Sequence, residues 1–253
     1  MGWLKLFADG ALGSRTAHLN EEYEGTAGDR GVAVTPPAHL ALLARRAADA
    51  GIVAQIHAIG DAALRSALNA LEPVAPAAGP MARIEHVQFA DPADLPRLAR
   101  GRIAASIQPI HLRSDVEKAR AAWGDRAERQ GFLLRALAHA GVTLAFGTDA
   151  PVEPPDPWPG IAIAVTRRAP SWPDQRPFGP DQAITLAESL RAATIGPAAV
   201  AGEPDRGRLT AGYRADFVAI PAAAVADPVE PDGALWSARP AFVAIDGRIV
   251  HEA

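Results

Sequence analysis

The sequence has no cysteine and almost no lysine. With no cysteine among its 253 residues, the chain has neither a disulfide framework nor a thiolate ligand. Any metal site must therefore use histidine, carboxylate or modified lysine. Lys5 and Lys118 are the only lysines among 25 basic residues. Lys5 lies in an apolar segment. A lysine in place of arginine at this position is better explained by chemistry in which the amine loses its proton, because guanidinium stays charged.

Other absences exclude several classes of protein. The formal net charge is -4 and no long basic run occurs, so nucleic acid and anionic membranes are not expected partners. No run reaches the roughly 18 consecutive apolar residues of a membrane span, and the N-terminus has no charged-then-apolar signal segment. We therefore expect a cytoplasmic protein that acts on a small molecule.

Five short apolar segments have the pattern of buried strands. They cover residues 3–8, 52–58, 83–89, 102–108 and 142–147. Helical spacing separates them, and the last of these helices is predicted over residues 125–140, ending at Gly141. Strands that alternate with helices in this way predict parallel βα units with right-handed crossovers, and so an α/β fold.

Beyond Pro197 the pattern changes to turns and short strands. Strands are predicted over residues 216–220, 241–245 and 248–251, which indicates a small β annex. We therefore divide the chain into residues 1–200, which contain the βα units, and residues 201–253, the β portion.

Four polar side chains lie at or near the ends of predicted strands, namely Lys5, His57, His86 and Asp149. Each of them alone is more typical of a structural role. Catalytic groups of a β/α barrel gather at the carboxyl ends of its strands, so the ordered set indicates a metal-dependent hydrolase.

Five segments together resemble the amidohydrolase superfamily, most closely its YtcJ-like, amidohydrolase-3 family. They are KLFADGALGSRTAHL (5–19), HAIGDAAL (57–64), RIEHVQ (83–88), SIQPIHLRSD (106–115) and FGTDAPVEPPDP (146–157). Residues 207–220 resemble the stretch where chains of that family leave the barrel for a small β-sandwich. The resemblance implies hydrolysis of carbon–nitrogen bonds other than peptide bonds.

The same resemblance implies a partial (β/α)8 TIM-type barrel made of strands four to eight. Lys5 would close strand four, His57 strand five, His86 strand six and Asp149 strand eight. The His-x-His pair of the family's first strand is absent. We therefore expect an N-terminally truncated chain whose exposed sheet edges favour a homo-oligomer or a missing N-terminal segment.

The implied metal ligands are His57, His86 and a carbamylated Lys5, with a position left for water. A divalent ion would lower the pKa of that water to about 7 and polarise the scissile carbonyl. Asp149 would take the water proton, return one to the leaving nitrogen and face a second metal. Zinc is the expected ion. Iron, manganese and nickel also suit these ligands, and one or two ions would bind.

Further residues have two open interpretations. His111 either binds the substrate or is a polar loop residue, and Asp61 and Glu85 either orient the histidines or form a cap and an ion pair. Trp123 and Arg126 either line a substrate pocket or provide apolar cover.

Two other functions also stay open. The chain can be a non-catalytic barrel fragment that binds a partner. It can also be a related barrel hydrolase that acts on lactones or phosphoesters, because the same ligands activate water for those bonds.

Overall fold

The computed structural model describes residues 2–226, 230 and 232–253. Five parallel strands form one sheet in chain order, which confirms the predicted α/β class and its five strands. They are β1 (Leu4–Phe7), β2 (Ala54–Ala58), β3 (Ala82–His86), β4 (Ile103–Ile107) and β5 (Leu144–Phe146). Each strand is shorter than its apolar segment, because the flanking residues belong to the adjoining loops.

Nine α-helices are described alongside the strands. They are α1 (Pro37–Asp49), α2 (Asp61–Leu71), α3 (Leu95–Arg100), α4 (Leu112–Trp123), α5 (Ala127–Gln130), α6 (Leu134–His139), α7 (Pro157–Thr166), α8 (Leu186–Ala193) and α9 (Ile195–Ala201). In the part of the chain that the structure describes, none of them has the length and apolar character needed to cross a membrane.

The continuous helix predicted over residues 125–140 is wrong, because the backbone breaks between α5 and α6. Phe132 has a φ of +50°, and its N–H donates to the Gln88 carbonyl over 2.7 Å. The Gln130 carbonyl accepts from the Ala90 N–H over 2.9 Å. These bonds to the segment after β3 replace the helical ones.

The two faces of the sheet differ in polarity because successive strand residues point to opposite sides. Ile56, Ile84 and Ile107 share the main apolar core with Leu64 and Leu68 of α2, and all five are almost fully buried.

The opposite face carries polar side chains, listed here in strand order: Lys5, Gln55, His57, Arg83, Glu85 and Ser106. Lys5 and Phe7 of β1 are exposed on it. The covered face therefore stabilises the sheet, and the polar face is available for chemistry.

A second, antiparallel sheet follows near the C-terminus. It contains β6 (Phe217–Ala219), β7 (Phe242–Ile245) and β8 (Arg248–Glu252). The turn between β7 and β8 uses Gly247 at a φ of +74°, a conformation that favours glycine. These strands lie where short strands were predicted, and their assignment to a β-sandwich stays a prediction.

Helix α8 begins with a reciprocal cap. The Thr185 hydroxyl accepts from the Glu188 N–H over 3.2 Å, and the Glu188 carboxylate accepts from the Thr185 N–H over 2.8 Å. We expect Thr185→Ala to lower the free energy of unfolding by about 1 kcal/mol in urea denaturation, because the Glu188 N–H in the first turn of α8 loses its acceptor. Thr185→Ser keeps the hydroxyl and should lose less. Equal losses in both variants would contradict the cap.

Candidate metal centre and active site

Two imidazoles lie side by side at the carboxyl ends of β2 and β3. In the parallel register Ala58 pairs with His86, and the ring centroids of His57 and His86 are 4.6 Å apart in a T-shaped arrangement. The ring of His111, which follows β4, stacks against His86 at 6.0 Å. The sheet thus gathers three histidines from three separate segments.

The hydrogen bond of His57 determines which ring nitrogen is free. Its Nε2 lies 2.8 Å from the Gly10 carbonyl oxygen, and a carbonyl can only accept, so we place the proton on Nε2. The Nδ1 atom keeps its lone pair. Metal-binding histidines typically show this pattern, with one nitrogen donating to the protein and the other on the metal.

His86 has the complementary arrangement. Its Nδ1 lies 2.8 Å from Oε1 of Gln108, and the Gln108 amide nitrogen points to the Ser106 carbonyl at 3.4 Å, which supports this orientation of the amide. Nδ1 is therefore the donor, and Nε2 keeps its lone pair. His86 and Val87 have φ values of +77° and +46°, a strained conformation of the kind found at functional sites.

Burial keeps His86 neutral at ordinary pH. Desolvation, together with smaller contributions from His57, His111 and Lys5, lowers the pKa of His86 to about 3. A neutral imidazole is the form that binds a metal, since protonation would occupy its lone pair.

Lys5 lies on the polar face of β1 and still reaches solvent. Partial burial lowers its pKa, whereas the negative charges of Glu85 and Asp149 raise it and Arg83 lowers it. The lower pKa favours the neutral amine, which is the form that reacts with carbon dioxide.

Asp149 is exposed and follows β5 after Gly147 and Thr148, with a φ of +57°. Its charge acts on the Lys5 amine, although β1 and β5 are the first and last strands of the sheet. His57 and His86 thus lie at the carboxyl ends of β2 and β3 and Asp149 follows β5, whereas Lys5 lies within β1, where it pairs with Gln55.

His111 is buried, and its Nε2 has no hydrogen-bond partner within the described residues. A buried polar atom without a partner is costly. This nitrogen is therefore available to a ligand, as the substrate-binding interpretation requires.

Asp61 and Glu85 hydrogen-bond to neither His57 nor His86 in the described part of the chain. The Asp61 carboxylate accepts from both the backbone and the side chain of Asn20, over 2.9 and 2.7 Å. Glu85 lies 2.7 Å from the Arg83 guanidinium. Glu85 thus forms an ion pair, whereas Asp61 binds the preceding loop and α2 begins without a side-chain cap. The role of either residue at the site stays a prediction.

The groups that orient the two histidines were missed in the sequence. Asp9 lies 3.4 Å from His57 Nε2, and Gln108 holds His86. In the sequence Asp9-Gly10 has the pattern of an ordinary turn, although the pair lies just after β1. Gln108 directly follows β4 in the same way.

Arg126 ties down the loop between β1 and α1, and Trp123 belongs to the apolar cluster against which that loop packs. The Trp123 ring is fully buried and stacks on Phe89 at 4.5 Å. Arg126 pairs with Glu21 at 3.2 Å and donates to the Glu22 carbonyl. These contacts favour structural cover over substrate recognition, which stays a prediction for both residues.

Within residues 2–226, 230 and 232–253, no three histidine, aspartate or glutamate side chains are placed to hold one metal ion. The histidine pair therefore needs a ligand of another type. Lys5 is the candidate that sequence and structure both offer.

A mostly apolar cavity of about 200 Å³ opens beside the ends of β4 and β5. Its lining includes Pro109, Phe146, Thr148, Gly160 and Ile161. Thr148 precedes Asp149, and Pro109 follows the Gln108 that holds His86. The cavity thus adjoins segments that carry site residues.

The amidohydrolase family matches residues 1–251 of the chain. The chain belongs to the amidohydrolase family. It is 35% identical to YtcJ of Bacillus subtilis (strain 168) over 253 residues, 99% of this chain and 47% of YtcJ. Identity to the N-substituted formamide deformylase of Arthrobacter pascens is 28% over 231 residues, 87% of this chain and 40% of the deformylase.

This amidohydrolase-family chain also resembles a solved structure, an uncharacterized metal-dependent hydrolase from Pyrococcus horikoshii OT3. The identity is 31% and the TM-score 0.76, with 85% of this chain and 43% of the other covered. The chain spans less than half the length of each of these three relatives.

The low pKa of His86 predicts a pH-dependent stability in metal-free protein. Unfolded, the ring takes a proton near its ordinary pKa of 6.5, whereas the folded ring resists until about 3, so stability is lost as pH falls through that window. Between pH 7 and 5 we expect the free energy of unfolding to fall by about 2 kcal/mol more in wild type than in His86→Gln.

Chemical denaturation with a chelator present measures this difference. His39→Gln, which changes an exposed histidine of α1, is the control and should behave as wild type. An identical pH dependence in His86→Gln and wild type would contradict a buried neutral ring.

Proposed function

We propose that this chain carries the metal-binding and proton-transfer half of an amidohydrolase that cleaves carbon–nitrogen bonds other than peptide bonds. The substrate is an amide, an N-acyl compound or a cyclic amide. One observation carries the proposal: His57 and His86 lie together, and each has one nitrogen hydrogen-bonded and the other free.

These residues fit a divalent metal. His57 through Nδ1, His86 through Nε2 and carbamylated Lys5 would supply the three protein ligands usual for catalytic zinc. Zinc is our first choice, and iron, manganese and nickel suit the same donors. A bound metal supplies Lewis acidity and a lowered pKa for the attacking water. The likeness to a metal-dependent hydrolase supports this proposal.

The chain's own residues handle the protons and the substrate. Asp149 accepts a proton from the attacking water and delivers one to the leaving nitrogen, which requires the exposed carboxylate that the structure has. His111 Nε2, which has no partner among the described residues, carries the ring proton and donates it in a hydrogen bond to the substrate carbonyl oxygen. The neighbouring cavity accepts an apolar substituent.

The bond type is supported by the relative named as an N-substituted formamide deformylase. That name also makes N-substituted formamides a practical first probe. Lactones and phosphoesters are the controls for specificity, because the same ligands can activate water for them.

The fold proposal follows the same reasoning. Five parallel strands in chain order, with polar side chains on one face, support a partial (β/α)8 barrel over residues 1–200. We assign residues 201–253 to part of a β-sandwich. We place the protein in the cytoplasm. Among the described strands β1 pairs only with β2, which leaves a free edge of the sheet for a homo-oligomer contact.

One observation favours a non-catalytic alternative. Three histidine or carboxylate ligands are not found together in the described residues, so without a modified Lys5 the metal would have two ligands. In that case the chain is a partner-binding barrel fragment. Metal binding separates the two functions.

We expect metal-stripped wild type to bind zinc in equilibrium dialysis and to melt at a higher temperature with zinc. His57→Asn and His86→Asn should each weaken binding by about tenfold or more, because each removes a ligand. His39→Asn is the matched control and should bind as wild type. If zinc, manganese and iron all fail to bind and leave the melting temperature unchanged, the enzyme proposal is wrong and the alternative stands.

We expect Asp149→Asn to lower the turnover of an N-substituted formamide by about 100-fold or more while zinc binding remains, because the amide cannot accept the proton. Asp181→Asn, which changes an exposed aspartate outside the site, is the control. Wild-type turnover in Asp149→Asn would remove this residue from the reaction.

A further inference from the structure

We infer that Asp9 is a positioning residue for His57, in that its buried carboxylate fixes the ring proton on Nε2 and so directs Nδ1 toward the metal. The inference rests on the proposed function for the metal alone. The effect of Asp9 on the His57 ring is independent of any metal.

The Asp9 carboxylate anchors the turn that follows His57. Its side chain is 0% exposed. It accepts three backbone hydrogen bonds, from His18 over 2.9 Å, Ile59 over 3.0 Å and Gly60 over 2.8 Å. Two of the three donors lie in the turn directly after β2, so the carboxylate fixes the backbone that carries His57.

The same carboxylate acts on the His57 ring directly. Its Oδ1 lies 3.4 Å from Nε2, and the next residue, Gly10, accepts from Nε2 through its carbonyl over 2.8 Å. If Nε2 instead carried a lone pair, that lone pair would face a carboxylate and a carbonyl. The negative charge and the acceptor together favour a proton on Nε2.

Close backbone packing leaves this arrangement little freedom. A Cβ at Gly60 would lie 2.1 Å from the His18 carbonyl oxygen, and one at Gly10 would lie 2.0 Å from the Thr16 hydroxyl. Only glycine fits at either position without movement of its neighbours. The loop and the turn after β2 are therefore held against each other.

A neutral acceptor could also bind backbone N–H groups, so the charge of Asp9 needs its own explanation. Burying a carboxylate is costly unless it interacts with a positive or polarised group. In the described part of the chain, the His57 ring is the only basic side chain within 4.0 Å of Asp9. A metal on Nδ1 would make the Nε2 proton more positive, and Asp9 then stabilises that state.

Asp61 provides a matched control. Like Asp9 it is a buried aspartate, and it ties the same loop to α2 by accepting from Asn20. It makes no hydrogen bond to His57 among the described residues. Asp9→Asn and Asp61→Asn should both lower stability, but only the first should change the ring.

Two measurements test the inference. In ¹⁵N NMR of metal-free protein, wild type and Asp61→Asn should show His57 protonated at Nε2, and Asp9→Asn should show a larger share protonated at Nδ1. In zinc titrations Asp9→Asn should bind about 10- to 100-fold more weakly, and Asp61→Asn should stay within about twofold of wild type.

A wild-type ring protonated at Nδ1 would overturn the inference, as would equal zinc affinities in the two variants. If Asp9→Asn fails to fold, the His57 tautomer is measured in wild type and in Asp9→Glu, which keeps the charge. These two results then decide whether Asp9 positions the ring. If wild type binds no zinc, the proposed metal site fails, and the NMR comparison still decides the role of Asp9.

Discussion

The hydrogen-bond register between β2 and β3 is the constraint on which the rest of the site depends. Because Ala58 pairs with His86, His57 and His86 lie at the same end of the sheet. Strand alternation alone would place them on opposite faces, and the left-handed backbone of His86, with a φ of +77°, accompanies the 4.6 Å approach of the two rings. A slip of one residue would turn every side chain of one strand to the opposite face. Either Ile56 or Ile84, both of which are fully buried in the core, would then face the polar side, so burial on one face fixes which side chains lie on the other.

The site is held from two directions. From below, the apolar face of the sheet packs on α2, whose Leu64 and Leu68 are fully buried. On the polar side, Asp9 and Asp61 hold the ordered loop between β1 and α1. Their carboxylates accept hydrogen bonds from backbone N–H groups that are 50 and 41 residues away in the sequence. The orientation of the His57 ring is therefore fixed by contacts from several distant segments, and the side chain has little rotational freedom of its own.

The sequence allowed the five parallel strands to be predicted, and with them the positions of His57 and His86 at the carboxyl ends of β2 and β3, because position at the end of a strand is a local signal. The break before Leu134 could not be predicted, since it depends on the bond from Phe132 to Gln88 in a distant segment. The role of Asp9 was hidden for a similar reason. Asp-Gly after a strand has the pattern of any turn, and its contact with His57 exists only once β1 and β2 pair.

The charges of the site explain which residue limits metal binding. A cation needs ligands that are not protonated, and burial already keeps the pKa of His86 at about 3, so this proposed ligand is unprotonated at any ordinary pH. Lys5 is different, because Glu85 and Asp149 raise its pKa and oppose the effect of burial. The Asp149 carboxylate that we propose for proton transfer thus works against the neutral Lys5 amine that the proposed carbamate needs. Assembly of the third ligand should therefore depend on pH through Lys5 and not through the buried His86.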